Sequence, residues 1–356
     1  MSDNRKEAEE KMEKAIFISG DGWLAVFDFL APSQLGLGIA TISRRFDCYV
    51  DEHFKTRKWT LDTMRIRSKI GENGIEMEMV NCDGEPSPIP KIQLPHKINS
   101  FKCITINYID RNVIAFLHNF RPLFTACPIN LIIFTNSYQI LEFISRNILP
   151  MLGKNIGEIC LLDASFRRLR QFVPSILNDC PLLRVVSFYS DHLFTNFPCD
   201  DRANASDGQA VAKWLFTAHP DNVPKVFKCV FKMNDFHWSL NLAAFKAAFA
   251  SASSPANFIV VIWYPQSFAY SAAYPIVPFD QTNELTREQL ILKRTYYSNC
   301  CMLVRCPIAR DESKWAKWEE EAIARPREWK NRIDIDIYYE FDICGRASRR
   351  NYRRFK

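Results

Sequence analysis

Glycine is scarce in this chain, at 11 of 356 residues, and no apolar stretch is long. The longest apolar runs, at residues 129–134 and 258–264, are far shorter than the roughly 20 residues that a membrane-spanning helix needs. The low glycine content excludes a collagen-like chain, and the hydrophobic fraction of 47% excludes disorder as the main state. The length leaves room for about two domains, each with its own core.

The sequence also lacks the short motifs that mark common enzyme classes. None of the patterns GxxxxGK[ST], GxSxG, HExxH and GxGxxG occurs, so the usual nucleotide, hydrolase and zinc-protease signatures are missing. The 12 cysteines are scattered without a CxxC pair. We therefore predict buried free thiols rather than a disulfide framework, and we predict no catalytic residues, no metal and no cofactor.

The net charge of +6 comes from residues 346–356. Without that segment, residues 1–345 hold 40 basic and 40 acidic residues, so the folded body is neutral. A neutral body gives the basic tail no supporting groove, and nucleic acid is not predicted as a partner. The basic residues of the tail are Arg346, Arg349, Arg350, Arg353, Arg354 and Lys356.

Residues 1–15 are mostly charged and are expected to form an exposed N-terminal extension without a hydrophobic signal region. The scattered cysteines fit a reducing compartment. We therefore expect a location in the cytoplasm, the nucleus or both, and no membrane partner.

Two short helical patterns follow this extension. The first is apolar on two sides, and a short helix can bury only one of them within its own small unit, so the other is expected to contact a partner. The second pattern is apolar on one side, and Pro32 suits its first turn. The first pattern consists of Trp23, Leu24, Val26, Phe27 and Leu30, and the second of Leu35, Ile39, Ile42, Phe46 and Tyr49.

The next segment predicts a hairpin and then a linker. Apolar residues alternate over 59–80 around the turn-prone residues 71–74, which is typical of two antiparallel strands. Residues 83–95 contain prolines at 86, 88, 90 and 95. Because proline is excluded from helix interiors and central strands, we predict a linker there.

Beyond residue 96, strand-like runs alternate with amphipathic helical stretches. The first four strands begin about 27 residues apart, which is the length of one strand and one returning helix in a leucine-rich-repeat unit. Such crossovers join parallel strands into a curved solenoid. The predicted strands are 101–107, 129–134, 156–162, 182–188, 226–232, 258–264 and 302–306, and the predicted helices are 112–124, 138–149, 165–177, 208–216, 240–252 and 311–322.

Two further segments of this region carry candidate surfaces. Residues 332–343 alternate isoleucine and aromatic side chains with charged ones, which predicts a terminal strand with one buried face and charges that discourage edge pairing. Residues 265–280 predict a long loop that either covers the sheet end or binds a target. The candidate target-binding residues of this loop are Phe268, Tyr270, Tyr274 and Phe279.

The segment 18–46, ISGDGWLAVFDFLAPSQLGLGIATISRRF, resembles an F-box. Asp21 fills the acidic position of that family, and Phe29 with Leu30 fills the second hydrophobic pair. The chain departs from the family pattern where Ile18 and Ser19 replace its opening Leu-Pro. The other matching residues are Val26, Phe27, Pro32, Leu35, Ile42, Arg44, Arg45 and Phe46, and stretches such as 108–110 and 303–307 are similar to expanded roundworm F-box families.

The resemblance implies an α/β protein in which a three-helix F-box at 16–55 precedes a hairpin and linker at 56–95 and a leucine-rich-repeat-like curved solenoid at 96–345, before the basic tail at 346–356. It further implies a non-catalytic receptor that binds a Skp-type adaptor, and through it a cullin, and recruits an unknown target protein to a ubiquitin ligase. The implied adaptor-binding residues are Ile18, Trp23, Leu24, Val26, Phe27, Leu30, Pro32, Leu35, Ile39, Ile42 and Phe46.

Two other hypotheses remain open at this point. The N-terminal helices could instead cap the solenoid of an interaction scaffold that has no role in a ligase, since repeat arrays cover their terminal apolar face. An enzyme is the third hypothesis, and a deep pocket with converging histidine or carboxylate side chains would favour it.

Overall fold

A computed structural model describes residues 18–30, 34–55, 59–61, 63–71, 74–80, 86–88, 98–189, 195–230, 238–265, 277–324 and 330–337. The chain divides into two compact units, one formed by residues 1–62 and 90–99 and the other by residues 63–89 and 100–356. The second unit thus includes residues 63–80 of the predicted hairpin. Within the described ranges, no helix is both long and apolar enough to cross a membrane.

The described part of the first unit contains two α-helices with irregular turns between them. Helix α1 is Gly20–Phe27 and α2 is Arg44–Lys55, and a π-helical turn at Gln34–Gly38 and a 3₁₀ turn at Ile39–Thr41 lie between them. The single helical face predicted over 35–49 is therefore interrupted. Two glycines in the π-helical turn lower its helix propensity, and Ser43 starts a new helix by accepting a hydrogen bond from the backbone N–H of Phe46 at 3.4 Å.

The second unit contains nine further α-helices in its described part. They are short because most of them only return the chain from one strand to the next. The helices are α3 Arg111–His118, α4 Arg121–Ala126, α5 Tyr138–Phe143, α6 Leu149–Leu152, α7 Asp163–Phe172, α8 Ile176–Asp179, α9 Asp207–Leu215, α10 Trp238–Ala250 and α11 Glu312–Ile323, and a π-helical turn at Ile144–Ile148 joins α5 to α6.

The described residues form fifteen strands. Strands β1 and β5 make a separate two-stranded sheet, and the other thirteen make one large sheet. The strands are β1 Trp59–Leu61, β2 Met64–Gly71, β3 Gly74–Val80, β4 Pro86–Pro88, β5 Ile98–Phe101, β6 Cys103–Ile106, β7 Ile129–Phe134, β8 Ile156–Leu162, β9 Val185–Tyr189, β10 Lys225–Val230, β11 Phe258–Trp263, β12 Phe279–Asn283, β13 Glu288–Arg294, β14 Cys300–Pro307 and β15 Arg332–Asp336.

The large sheet has the order β12-β13-β14-β11-β10-β9-β8-β7-β15-β6-β2-β3-β4. Strands β7 to β11 are adjacent in chain order and parallel. The 27-residue spacing predicted this neighbourhood for β7, β8 and β9, but it also placed β6 beside β7, and β15 lies between these two strands. Antiparallel strands extend the sheet at both ends, so the whole is a mixed α/β sheet rather than a uniform array of repeats. The predicted hairpin is confirmed as β2–β3, with Gly71 opposite Gly74.

The C-terminal strand lies inside the sheet, not at its edge. Strand β15 pairs in parallel with β7 on one side and with β6 on the other. The prediction of a terminal strand with an open charged face was therefore wrong, because Asp334 is buried between two neighbouring strands. Its charge is compensated by Arg332, whose Nε donates to Oδ1 of Asp334 at 2.6 Å.

The main core lies on one face of the sheet, where helices pack. Its strand residues alternate with residues of the other face, and they have almost no exposed surface. Phe166 of α7 packs against Phe188 of β9 with ring centroids 4.8 Å apart, which places α7 on this face. One row across the face consists of Ile133, Leu161, Phe188, Cys229 and Ile262.

Helix α11 packs on the opposite face, but at the β11–β14 end. Its Trp315 is buried, and its ring centroid lies 5.4 Å from that of Trp318. These side chains cover residues of β10, β11 and β14 in a second core. The second core contains Val226, Ile259, Val261, Cys300, Met302, Val304, Cys306, Trp315, Ala322 and Ile323.

Helix α9 begins with a capping box, whose contribution to stability can be measured. The hydroxyl of Ser206 accepts from the backbone N–H of Gln209 at 3.2 Å, and the Gln209 side chain accepts from the backbone N–H of Ser206 at 2.9 Å. We expect Ser206→Ala to lower the free energy of unfolding by about 1 kcal/mol in urea denaturation. Ser313→Ala, at an exposed site within α11, is the control, and an equal loss in both variants would contradict the assignment.

Candidate functional site

The first unit positions its aromatic side chains by packing its helices on each other. Ser19 caps α1, since its hydroxyl accepts from the backbone N–H of Gly22 at 3.1 Å. Trp23 of α1 then meets Phe46 of α2 edge-on, with ring centroids 4.9 Å apart, and Phe27 packs against His53 at 5.8 Å. One side of α1 is thus used within the unit.

Three apolar side chains of this unit remain exposed. Val26 keeps 42% of its surface in solvent, Phe29 keeps 89% and Ile42 keeps 62%. A soluble unit normally buries side chains of this size, and exposed ones of this kind are typical of contact sites. The two-sided pattern of the first helix is therefore present in the structure as one packed side and one exposed side.

The other predicted adaptor-binding residues are distributed between core and surface. Phe27 and Leu35 have no exposed surface, so they support the unit rather than offer contacts. Pro32 lies outside the described residues. Phe29 was absent from the predicted set although it is the most exposed, and its signal was the Phe29-Leu30 pair of the F-box pattern. The partly buried members are Ile18, Trp23, Leu24, Leu30, Ile39 and Phe46.

The candidate target-binding loop is only partly described. Phe268, Tyr270 and Tyr274 lie outside the described residues. Phe279 does not lie in a loop, because it begins strand β12 and pairs with Leu292. Its ring is half-buried and lies 3.6 Å from the ammonium of Lys246, which makes it part of a cation–π contact.

A second candidate surface is the sheet face opposite the main core, on strands β15, β7, β8, β9 and β10. We call it the mixed face, because polar and apolar side chains alternate there. The parallel register aligns its residues in three rows. The rows are Arg332, Asn130, Glu158 and Val185, which continue to Val226 in the second core; then Asp334, Ile132, Cys160, Ser187 and Lys228; and last Asp336, Phe134, Leu162, Tyr189 and Val230.

The centre of the mixed face is polar but not nucleophilic. Cys103 of β6 donates its thiol proton toward Asp334 at 3.7 Å, and burial raises the pKa of that thiol. Burial also raises the pKa of Cys160 to about 12. Both thiols are therefore protonated at neutral pH, and neither has the thiolate character that a reactive cysteine needs.

Two charges on the mixed face are half-buried and have opposite signs. Burial raises the pKa of the Glu158 carboxyl, and the positive charge of Lys228 opposes this shift. Burial likewise lowers the pKa of the Lys228 ammonium, and the negative charge of Glu158 opposes that shift. Each charge is thus weakly stabilised by the other across the sheet.

Aromatic side chains follow the carboxyl ends of these strands. Phe134 and Tyr189 lie with ring centroids 6.0 Å apart, and Tyr189 is half exposed. Farther along the same edge, Trp263 lies 5.1 Å from Tyr297, which lies 4.2 Å from the exposed Tyr296. Exposed tyrosine and tryptophan offer large contact areas at a small loss of side-chain freedom.

The described residues offer two candidate binding surfaces, which are the exposed apolar residues of the first unit and the mixed face of the second. In the ranges that the structure describes, no group of three or more histidine, cysteine, aspartate or glutamate residues is placed to hold a metal ion. No model of a known protein family and no sequence of a curated protein matches this chain.

Proposed function

We propose that this protein is a substrate receptor of a cullin-based ubiquitin ligase, in which the first unit acts as an F-box and binds a Skp-type adaptor. The observation that supports this most is the exposure of Val26, Phe29 and Ile42 on a small helical unit whose other apolar residues pack inward. The resemblance of residues 18–46 to an F-box names the adaptor as the occupant of that exposed surface.

The proposed mechanism is positional and requires no catalytic group in this chain. The adaptor would join the first unit to a cullin, and the α/β region, proposed to be a leucine-rich-repeat-like array, would hold a target protein. Holding the target near a ubiquitin-conjugating enzyme raises the local concentration of its lysines. The complex would act in the cytoplasm or the nucleus.

The test is direct binding of the full chain to a purified Skp-type adaptor. Phe29→Asp and Ile42→Asp are each expected to weaken the affinity at least tenfold, because burying an exposed side chain of this size contributes about 1.5 to 3 kcal/mol. These sites are preferable to Trp23, whose ring contacts Phe46 within the unit. Calorimetric titration measures the effect.

The matched control places the same change on the second unit. Leu285 keeps 74% of its surface exposed there, so Leu285→Asp adds the same charge to an equally exposed apolar site and should leave adaptor binding unchanged. Failure of the wild-type chain to bind the adaptor, or equal affinity of all three variants, would exclude the F-box role and favour the scaffold hypothesis.

A further inference from the structure

The mixed face contains two charged side chains without a direct partner. Neither Glu158 nor Lys228 makes a hydrogen bond or a salt bridge with another residue in the described ranges, although both are half-buried. The neighbouring Arg332 and Asp334 differ from them, because they bond to each other. Half-buried charges that lack a direct partner are poorly solvated and gain from a ligand of opposite charge.

Their separation is set by the sheet register. Glu158 aligns with Val185 of β9 and then with Val226 of β10, so it lies two strands from β10, and Lys228 lies two residues farther along that strand. Strands about 4.8 Å apart and a rise of about 3.3 Å per residue place the two Cα atoms on the order of 12 Å apart. An extended peptide covers that distance in about four residues.

An apolar contact site adjoins the two charges. Leu162 lies on the same strand and the same face as Glu158, and it aligns with Tyr189, whose ring packs beside Phe134. Leu162 and Phe134 are half-buried and Tyr189 is half exposed. These side chains offer an apolar surface for one aliphatic or aromatic side chain of a ligand.

We propose that the mixed face binds an extended segment of a protein, with a basic side chain at Glu158, an acidic side chain at Lys228 and an apolar side chain on Leu162, Phe134 and Tyr189. This inference adds to the proposed function only the class of target segment, and the binding itself needs no adaptor. A polyanion such as a nucleic acid fits this face poorly, because it would meet the carboxylates of Glu158 and Asp334.

The experiment uses immobilised nine-residue peptide libraries and the full chain in solution. In the bipolar library one basic and one acidic residue stand four positions apart, in either order. Three matched libraries carry two basic, two acidic or two glutamine residues at the same positions, and the remaining positions are varied equally. The wild-type chain is expected to bind the bipolar library at least fivefold more strongly than each of the others.

Charge reversal separates recognition from a general effect on folding. Glu158→Lys is expected to shift the preference to the two-acid library, and Lys228→Glu is expected to shift it to the two-base library. The double variant Glu158→Gln with Lys228→Gln removes both charges and should lower binding of the bipolar library to the level of the glutamine library. Thermal melting and adaptor binding show that each variant is folded and that the first unit is unaffected.

The outcomes are decisive for this inference and separate from the ligase proposal. Equal binding of the four libraries by the wild-type chain overturns it, and so does an unchanged bipolar preference in Glu158→Lys or Lys228→Glu. A chain that selects bipolar peptides but does not bind the adaptor supports this inference and contradicts the F-box role. A chain that binds the adaptor but shows no peptide preference supports the F-box role and contradicts this inference.

Discussion

Replacing Arg305 with alanine is expected to lower the free energy of unfolding by about 3 to 5 kcal/mol, because it leaves the carboxylate of Glu288 buried without its counter-charge. Arg305 on β14 has no exposed side-chain surface and Glu288 on β13 only 1%. The guanidinium donates to Oε2 of Glu288 from Nε at 3.1 Å and from Nη2 at 2.6 Å.

Other contacts of the Arg305–Glu288 pair add to the expected loss of stability. Nη2 of Arg305 also donates to the backbone carbonyl of Ser254 at 2.8 Å, and Oε1 of Glu288 accepts from the backbone N–H of Ala256 at 2.9 Å. The guanidinium lies 5.1 Å from the ring centroid of Phe216. The pair thus connects two strands to the segment before β11 and to aromatic side chains of the main core.

A double-mutant cycle separates the ion pair from its packing. Glu288→Leu combined with Arg305→Met removes both charges, so the double variant is expected to lose less stability than the sum of the two single variants. A loss of about 1 to 3 kcal/mol should remain, because the backbone groups of Ser254 and Ala256 lose their partners. Urea denaturation measures all four proteins at one pH.

The exposed pair of Arg202 and Asp200 provides the contrast. Nη2 of Arg202 lies 2.7 Å from Oδ2 of Asp200, but the arginine side chain is 77% exposed. Because solvent screens such a pair, Arg202→Ala should change the free energy of unfolding far less than Arg305→Ala does. A similarly small change in Arg305→Ala would show that burial does not increase the contribution of the Arg305–Glu288 pair to the free energy of unfolding.

The Arg305–Glu288 pair shows where prediction from the sequence reached its limit. The strand at 302–306 was predicted from its apolar run, and it forms the centre of β14. Strand β13 was missed, since its alternation of polar and apolar residues is short and lies beside a segment predicted as a loop. A local pattern identifies a strand but does not identify its neighbour, which here lies across a turn from β14.

Strand β15 is a second case in which the local pattern identified a strand but not its neighbours. Alternation correctly indicated a strand beginning at Arg332, and periodicity placed β7 and β8 at their observed bounds. The insertion of β15 between β6 and β7 depends on pairing across about 200 residues of chain, which local spacing does not encode. The charges at Asp334 and Asp336 were therefore assigned to an edge that the sheet does not have there.

The sequence predicted that the first helix has an exposed apolar side, but it did not predict which residues are exposed. The two-sided pattern of residues 23–30 indicated one packed and one exposed side, and of its members Phe27 is buried and Val26 is exposed. Which apolar residue is exposed depends on how α1 meets α2, and that is a matter of tertiary packing. The polar rows of the mixed face were likewise invisible, because they combine residues from strands that are far apart in the chain.

Raising the pH from 8 to 10 is expected to destabilise the protein by several kcal/mol, because seven buried thiols of the described residues keep their protons to a higher pH when the chain is folded. Burial raises the pKa of Cys160 to about 12 and the pKa of both Cys180 and Cys300 to about 11. It also raises the pKa of Cys103, Cys229, Cys301 and Cys306.

The sign follows from proton binding in the two states. Thiols in the unfolded chain ionise near pH 8.5, so between that pH and the raised values the folded state binds more protons. The stability from these thiols is fully present below about pH 8 and is lost as the pH rises through the folded pKa values. Each thiol contributes a slope of up to about 1.4 kcal/mol per pH unit.

Two buried lysines act in the opposite direction over part of this range. Burial lowers the pKa of Lys225 to about 8 and also lowers the pKa of Lys228. The unfolded chain therefore binds more protons at these two sites between pH 8 and about 10.5, and stability rises with pH there. The buried thiols outnumber the two lysines, so the net effect of raising the pH toward 10 should be a loss of stability.

Urea denaturation under reducing conditions at pH 8, 9, 9.5 and 10 measures this slope, and single alanine variants assign it. Cys160→Ala removes a buried thiol from the mixed face and should reduce the slope near pH 10 by about 1.4 kcal/mol per pH unit. Cys48→Ala, which removes an exposed thiol, is the control for the substitution itself. Stability that stays constant up to pH 10, or equal slopes in the wild type and in Cys160→Ala, would show that these thiols are not buried as the structure places them.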